Sequence, residues 1–200
     1  MHITRFTGGT LESNGYVLFV RQPGHCYLID PGYEPQKFIR FLEAEGLEPL
    51  GILLTHHHYD HTGGVARIKS HFDCPVFIHE KDRYDLPFEV DGFLQEGQQL
   101  DLDGETLTIL WTPGHTPGSI CILNTRSRDC FTGDTLFDTD LGRTDLPGGS
   151  EADMTASVQR LNDQLAGDIH IWPGHDEGCT MKVVRQGNEE FLALVGGKAR

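Results

Sequence analysis

The residues best suited to chemistry lie in one short run, Thr55-His56-His57-His58-Tyr59-Asp60-His61. Histidine and aspartate side chains are ligands for zinc and similar first-row metals. The apolar residues 51–54 before this run are typical of a buried strand, and Gly63-Gly64 after it indicates a turn into a helix. In a continuous helix His56 and His58 would point to roughly opposite sides, whereas an irregular turn lets both reach one ion. The run therefore predicts a metal site, with a solvent-exposed polar loop as the alternative.

Three further residues of ligand type follow apolar runs in the same way. His115 lies in the turn 112–118, Asp134 in 131–135 and His175 in 171–176, and each turn contains glycine, proline or both. Ligands on loops at one edge of a sheet form a rigid site, because the sheet fixes the ends of the loops. We therefore expect these three segments to meet the histidine-rich run at one sheet edge.

This combination of motifs resembles the metallo-β-lactamase-fold hydrolases, whose pattern is His-x-His-x-Asp-His, then a single His, a bridging Asp and a final His. Within that superfamily the chain is most similar to the glyoxalase II-like branch, in the short form without a C-terminal helical domain. The resemblance extends from the first predicted strand to His175. It implies one ion held by His56, His58 and His115, a second held by Asp60, His61 and His175, and Asp134 between them.

The resemblance also implies the fold and the cofactors. The fold class would be α/β (α+β), a four-layer αβ/βα sandwich formed as a single domain over residues 1–200; hydrophobic periodicity alone supports only α/β or α+β. The cofactors would be two divalent metal ions, with zinc expected and iron or manganese as alternatives. Two ions roughly 3.5–4 Å apart lower the pKa of a shared water from about 15.7 to about 7, which provides a hydroxide at neutral pH. Asp60 is the expected catalytic residue, which steers this nucleophile or takes its proton.

Such a site suits thioesters, lactones and amides alike, so the substrate must be read from other residues. By the resemblance, Asp134 argues against a true β-lactamase, and His58 argues against the flavin-linked di-iron oxidoreductases. Tyr59 occupies a position that is a bulky aromatic in glyoxalase II enzymes, although it could simply pack beside the loop. Arg143 aligns with a basic residue that contacts glutathione, and a guanidinium can bind a carboxylate with two hydrogen bonds. An ion pair with a neighbouring aspartate (Asp138, Asp140 or Asp145) is the alternative for Arg143.

The favoured function is hydrolysis of thioesters of the hydroxyacylglutathione type, which makes Tyr59 and Arg143 candidate substrate-binding residues. The expected partner is a small-molecule thioester or thiol conjugate, and lack of the helical domain leaves its dependence on glutathione open. One alternative is a persulfide dioxygenase with a single iron held by His56, His115 and Asp134, a two-histidine-one-carboxylate set. The other is a lactonase or phosphodiesterase of the same fold.

Composition limits the function further. The chain has 200 residues, enough for one good core, and a net charge of −14, which argues against nucleic acid as a partner. It has neither a signal-like N-terminus nor an apolar run near the ~20 residues that a membrane span needs. Its five scattered cysteines fit reduced thiols and a cytoplasmic location. The sequence leaves the oligomeric state open.

Two residues near the metal motifs have weaker signals. Asp30 follows an early strand and is expected to support a turn or a ligand rather than to act in catalysis. His57 lies between two predicted ligands and is expected to point away from the metals.

The elements that must position these residues follow from hydrophobic periodicity and from turn signals. The predicted strands are 2–6, 15–21, 26–30, 51–54, 75–79, 106–111, 119–124, 129–132 and 168–172. The predicted helices are 35–45, 63–72, 81–86, 150–165 and 181–195. Pro35 at a helix start and Ser150 as an N-cap support two of these helices.

Overall fold

Two six-stranded mixed sheets pack face to face, with helices on both outer faces, in the computed structural model of the chain, which describes residues 1–84 and 86–196. The strands are β1 His2–Gly8, β2 Ser13–Phe19, β3 Gly24–Ile29, β4 Leu47–Leu53, β5 Val76–His79, β6 Gly92–Leu94, β7 Gln99–Leu102, β8 Glu105–Trp111, β9 Ile120–Asn124, β10 Asp129–Gly133, β11 His170–Pro173 and β12 Cys179–Thr180. The helices are α1 Pro35–Glu45, α2 Tyr59–Thr62, α3 Val65–Phe72, α4 Glu151–Gln164, α5 Met181–Gly187 and α6 Glu189–Val195, with a 3₁₀ turn at Glu80–Asp82.

The alternating sides of each strand separate three hydrophobic cores. In β2, Leu18 faces the opposite sheet, where it joins a core with Ile109 and Phe131 of the second sheet. Its neighbour Val17 faces outward and packs in a second core with residues of α1 and α3. A third core joins the outer side of the second sheet to α4, α5 and α6. This alternation gives four layers, so the predicted αβ/βα sandwich is confirmed.

The direction of the strands explains why four separate turns meet. In the second sheet β8 is antiparallel to β9, β9 is antiparallel to β10, and β10 is parallel to β11. Strands β8, β10 and β11 therefore run in one direction, and their C-terminal ends lie at one edge of the sheet. The turns that carry His115, Asp134 and His175 follow these three ends. The histidine-rich run follows the end of β4 in the first sheet.

The predicted helix over 181–195 is two helices, α5 and α6, because Asn188 interrupts it. This buried residue has an extended backbone, and its side-chain oxygen accepts a hydrogen bond from the backbone N–H of Phe191, which caps α6. Its amide nitrogen donates to the carbonyl oxygens of Phe137 and Asp140. Asn188 therefore ties the C-terminal helices to the loop after β10.

Other differences from the predicted elements are local. The nine predicted strands all correspond to strands of the structure, whereas β6, β7 and β12 were not predicted because they are short and lack a clear hydrophobic alternation. Over the described part of 81–86, the predicted helix is wrong, and the 3₁₀ turn stands at its start. Asp85 and residues 197–200 of the predicted single domain lie outside the described residues, and that domain boundary stays a prediction. Within 1–84 and 86–196 no helix combines the length and the apolar character of a membrane span.

Candidate metal centre

Three histidines form the first cluster at the bottom of a surface cavity. His56 and His58 lie in the turn after β4, where His58 has an extended backbone and precedes α2. His115 comes from the turn after β8. One ring nitrogen from each of the three lies within 4.8 Å of the others, and His58 Nδ1 is 2.9 Å from His115 Nε2. The structure thus brings together the three residues predicted for one ion.

A second cluster lies beside the first and contains a carboxylate. Asp60 and His61 stand on the single turn of α2, and His175 follows β11. The Oδ2 atom of Asp60 is 3.3 Å from His61 Nε2 and 3.2 Å from His175 Nε2, and these two nitrogens are 3.3 Å apart. Ligands of a tetrahedral ion at roughly 2.1 Å are themselves roughly 3.3–3.5 Å apart. The spacing in this cluster therefore suits one bound cation.

The carboxylate of Asp134 lies between the two clusters. Its Oδ2 atom is 3.4 Å from His115 Nε2 and 3.8 Å from His56 Nε2, both in the first cluster. The same oxygen is 3.5 Å from His175 Nε2, and Oδ1 is 3.4 Å from His61 Nε2. Asp134 therefore contacts both groups of histidines at once.

Hydrogen bonds on the far side of the rings direct lone pairs into the centre. His115 Nδ1 donates to the carbonyl oxygen of Arg143 at 2.8 Å, and His175 Nδ1 donates to that of Leu11 at 2.9 Å. A carbonyl oxygen can only accept, so in the neutral form of each ring the Nε2 atom carries its lone pair toward the cavity. This is the arrangement that metal-binding histidines commonly have.

A buried carboxylate, Asp30, organises the remaining two rings. Its Oδ1 accepts from the backbone N–H of Thr55 at 2.8 Å, and its Oδ2 accepts from the Thr55 hydroxyl at 2.5 Å. That oxygen also lies 3.2 Å from His61 Nδ1, and the Thr55 hydroxyl is 3.0 Å from His56 Nδ1. Asp30 thus supports two rings from behind, as the sequence suggested.

The two clusters differ in their electrostatics. In the first, burial and the neighbouring histidines lower the pKa of His56, and burial followed by His115 lowers the pKa of His58 to about 4. In the second, burial acts to lower the pKa of His175, but Asp134 and Asp60 outweigh it and raise this pKa to about 10. Burial acts in the same way on His61, and the same carboxylates together with Asp30 raise its pKa well above the usual range. The carboxylates therefore favour positive charge in the second cluster.

These features fit bound cations. The Nε2 atom of His56 and the Oδ1 atom of Asp134 are buried and have no hydrogen-bond partner, which is costly for polar atoms. Both point to the space where the lone pairs of the other histidines converge. Divalent ions held by the two clusters would accept lone pairs from these atoms and would balance the buried carboxylates. The donor set of imidazoles and carboxylates is one that zinc, iron and manganese accept.

Close backbone packing behind the ligands requires glycine at two positions. A Cβ atom on Gly32 would lie 1.6 Å from the carbonyl oxygen of Asp60, and one on Gly142 would lie 1.6 Å from that of Asp134. Any side chain at either position must displace a ligand residue. The neighbouring chain segments therefore hold both carboxylates in place.

The clusters open into a cavity of about 530 Å³. Its lining residues are Leu11, His58, Tyr59, Asp60, His115, Asp134, Phe137, Gly142, Arg143, Leu146 and His175. A space of this size suits a small molecule. The predicted ligands His58, Asp60, His115, Asp134 and His175 are therefore accessible from one opening.

Comparison with known proteins identifies the family. The model of the metallo-beta-lactamase superfamily matches residues 10–171. The chain belongs to the metallo-β-lactamase superfamily. This membership, together with the His/Asp clusters, indicates a metallo-hydrolase whose site suits divalent ions.

Three relatives from this superfamily are informative. The hydroxyacylglutathione hydrolase GloC of Haemophilus influenzae is 36% identical over 180 residues, which cover 80% of this chain and 84% of that protein. The structure of TTHA1623 in a di-iron-bound form is 34% identical and has a TM-score of 0.82, with 93% of this chain and 98% of that one covered. The B3 metallo-beta-lactamase BLEG-1 is 29% identical with a TM-score of 0.88, over 94% and 98% of the two chains.

The two predicted substrate residues of this superfamily member lie at the mouth of the cavity. Tyr59 is 69% exposed, and its ring packs edge-on against Tyr33 at 6.3 Å. The guanidinium of Arg143 forms a two-point ion pair with Asp145, at 2.7 and 2.8 Å. Both residues line the cavity, and the intramolecular pair that was the alternative for Arg143 is present as well.

One carboxylate that contacts the ligand-bearing turns was not predicted from the sequence. Asp82 lies in the 3₁₀ turn after β5, and its side chain is fully buried. It accepts hydrogen bonds from the turn that carries His115 and from the backbone of His57. The ring of His57 lies outside both clusters, as predicted. No spacing pattern in the sequence identifies Asp82 as a functional residue. It lies in a separate turn, between the histidine-rich run and His115 in the chain, and only the fold brings it to both.

Proposed function

We propose that this chain is a dinuclear metallohydrolase that cleaves thioesters of the hydroxyacylglutathione type. The observation that carries the proposal is the position of Asp134. Its two carboxylate oxygens lie within 3.8 Å of ring nitrogens from both clusters. A carboxylate so placed can bridge two ions, and two bridged ions suit the hydrolysis of carbonyl compounds.

The geometry of the two clusters supports an assignment of the ligands. We assign His56, His58 and His115 to one ion and Asp60, His61 and His175 to the other, with Asp134 shared. Zinc is the metal that we expect, with iron or manganese as alternatives, since these ligands accept all three. The di-iron-bound form of TTHA1623 supports the assignment of two ions to this fold. Which metal is bound in the cell depends on metal availability as well as on affinity.

When bound, the ions would lower the pKa of water to about 7 and polarise a carbonyl group. We assign the catalytic role in this chain to Asp60, which lines the cavity and can orient the attacking water through its carboxylate. The carbonyl of Arg143 keeps His115 in the orientation that points Nε2 to the reacting centre. Tyr59 provides an apolar and hydrogen-bonding surface for the acyl group or the thiol at the mouth.

The substrate class is supported by the relative and by the cavity. GloC, which covers most of this chain, is named for hydroxyacylglutathione hydrolysis. A small thioester or thiol conjugate fits a cavity of about 530 Å³, and the net charge of −14 disfavours nucleic acid. We do not expect a membrane to be a partner of this chain. The five free cysteines fit a reducing compartment such as the cytoplasm.

The test is metal stoichiometry on freshly purified protein, combined with turnover of S-lactoylglutathione. Two ions per chain with thioester turnover is the expected result. Two ions without thioester turnover would overturn the substrate assignment, and a panel of lactones, phosphodiesters and β-lactams would then locate the substrate. The β-lactam belongs in this panel because BLEG-1 is named for that activity.

A second candidate is a dioxygenase with one iron that oxidises a persulfide. The specific observation in its favour is that Asp134 Oδ2 lies within 3.8 Å of both His56 Nε2 and His115 Nε2. Two histidines and one carboxylate are the ligand set of non-haem iron oxygenases. One iron per chain and oxygen consumption with glutathione persulfide would select this candidate over the hydrolase.

A further inference from the structure

We propose that Asp82 is a positioning residue that sets the distance between His58 and His115 and so controls the affinity of the first cluster for its ion. The proposal rests on the proposed function, because it assumes that these histidines hold a metal. Asp82 belongs to neither ligand cluster and is not among the residues that line the cavity. It acts through the two chain segments that carry the ligands.

The carboxylate of Asp82 accepts hydrogen bonds from both ligand-bearing turns. Its Oδ1 accepts from the backbone N–H of Gly118 at 2.6 Å, and its Oδ2 accepts from the hydroxyl of Thr116 at 2.6 Å. Thr116 is the first residue after His115, and Gly118 is the third. Oδ2 also accepts from the backbone N–H of His57 at 3.1 Å, in the residue directly before His58. One side chain thus joins the turn after β4 to the turn after β8.

The contact to residue 57 is made by its backbone. The Nδ1 atom of His57 lies 3.0 Å from Asp82 Oδ2, but it has no hydrogen-bond partner of acceptable geometry. We therefore base the link on the N–H group. A backbone link fixes the course of the chain at 57 and 58 whatever the ring of His57 does.

A charged carboxylate is required at this position because three donors share two oxygens. Asp82 is buried, and Thr116 and Gly118 donate to it from inside the protein. An asparagine offers one acceptor oxygen in place of two. If that oxygen stays with Gly118, the amide nitrogen faces the N–H of His57, and two donors meet without an acceptor.

The space around Asp82 is also specific to its length. A Cβ atom on Gly118 would lie 2.5–2.7 Å from the Oδ1, Cγ and Cβ atoms of Asp82, so the turn after β8 packs directly on this side chain. A longer glutamate must push that turn away. Both a change of charge and a change of length therefore alter the separation of the two turns.

The second cluster is held by other contacts. The hydroxyl of Ser13 donates to the carbonyl oxygen of Asp60 at 2.7 Å, Asp30 supports His61, and Leu11 supports His175. Within the described residues, the hydrogen bonds of Asp82 go to His57, Thr116 and Gly118 and to none of these residues. A change at Asp82 is therefore expected to weaken the first ion selectively.

The test is Asp82→Asn in the full chain, with stepwise metal affinities from competition with a chelator. We expect the first-cluster affinity to fall about 10–100-fold, the range for residues that orient ligands, while the second stays within about threefold of wild type. In protein loaded with Co²⁺, the visible absorption of the first site should change. The melting temperature of the metal-free protein reports any purely structural effect.

Glu105→Gln is the matched control. Glu105 is a buried carboxylate at the start of β8, far along the strand from His115, and it accepts from the side-chain amide of Asn124 at 3.0 Å. We expect this variant to leave both metal affinities unchanged. If Asp82→Asn lowers only the melting temperature, as a buried change without a positioning role does, the proposal is overturned.

A second pair of variants decides the matter if Asp82→Asn does not fold. Thr116→Val removes one hydrogen bond to Asp82 at constant shape, and Thr116→Ser keeps it. We expect weaker first-cluster binding in the valine variant and recovery in the serine variant; equal affinities would overturn the proposal. Failure of the proposed function is distinguishable, because a wild type without thioester turnover still allows the metal affinities to be compared.

Discussion

At the bottom of the cavity His56 and His61 are almost completely buried, at 1% and 0% exposure, whereas at its mouth Tyr59 and the side chain of Arg143 are 69% and 61% exposed. We call the seven predicted ligands the floor and the residues Leu11, Tyr59, Phe137, Arg143 and Leu146 the rim. Four floor histidines have an oxygen partner behind the ring. The side chain of Arg143 at the rim has only an exposed ion pair with Asp145, a kind of contact that contributes little.

Because of this difference, we expect the two regions to have separate roles. The floor has a fixed arrangement of donors, so it determines the metal and the type of reaction. The exposed side chains of the rim, those of Leu11, Tyr59 and Arg143, can change without loss of the floor, so they determine which small molecule is accepted. Predictions that separate the two regions therefore test the comparison directly.

The largest effect should follow from removal of the metal, which acts on the floor alone. A ligand present at about 1,000 times its Kd stabilises a fold by about 4 kcal/mol, and for a chain of this length that corresponds to a Tm shift of roughly 8–16 °C. We expect a chelator to abolish turnover and lower the Tm by about this amount in a calorimetric scan. The same Tm shift in the Arg143→Ala variant would confirm that this rim side chain does not contribute to the stabilisation by metal. A Tm that is insensitive to the chelator contradicts the assignment of the floor.

His58→Ala should abolish hydrolysis while the fold stays largely intact. The variant removes one of the three histidine ligands of the first ion, and loss of a ligand costs more than the 10–100-fold typical of residues that only orient ligands. Steady-state kinetics and circular dichroism measure the two parts. His71→Ala is the control, because this exposed histidine contacts Glu43 far from the cavity. Full turnover in the His58→Ala variant would contradict the metallohydrolase assignment.

Asp30→Ala should weaken metal binding about 10–100-fold, because it removes the acceptor behind His61 and the anchor of Thr55. The effect should appear in the affinities of both ions, measured by chelator competition, because Asp30 contacts His61 directly and His56 through Thr55. Asp129→Ala, which removes a hydrogen bond from the indole of Trp172, serves as a control outside the site. Unchanged affinity in the Asp30 variant means that the ring of His61 is held by packing alone.

The smallest effect is expected at the rim. Arg143→Ala should raise the KM for an anionic thioester by about tenfold, and change kcat much less, because one charge-assisted contact is lost. Asp145→Asn should lower the KM for the same substrate, since it frees the guanidinium from its intramolecular partner. A neutral thioester should respond to neither change. An unchanged KM for the anionic substrate in both variants refutes a substrate contact by Arg143.

The sequence predicted the floor more completely than it predicted the rim or the residues that hold the floor in place, such as Asp82. His56, His58, Asp60 and His61 share one motif, and the other ligands follow strand ends in glycine turns, so pattern and chain direction bring them together. Asp82 could not be predicted, because its role depends on where an irregular turn meets two loops. The break at Asn188 was missed for a similar reason: its side chain caps a helix only because the carbonyls of Phe137 and Asp140 lie nearby.

The two glycines behind the carboxylates, Gly32 and Gly142, have a consequence for how such a protein can diversify. Because a Cβ atom at either position would overlap a backbone carbonyl, a single substitution there disrupts the centre as surely as loss of a ligand. Mutational tolerance should therefore fall at these two positions, which carry no chemistry of their own. New specificities are accessible mainly through exposed positions such as Leu11 and Tyr59. The centre would persist through such changes while the substrates of descendants diverge.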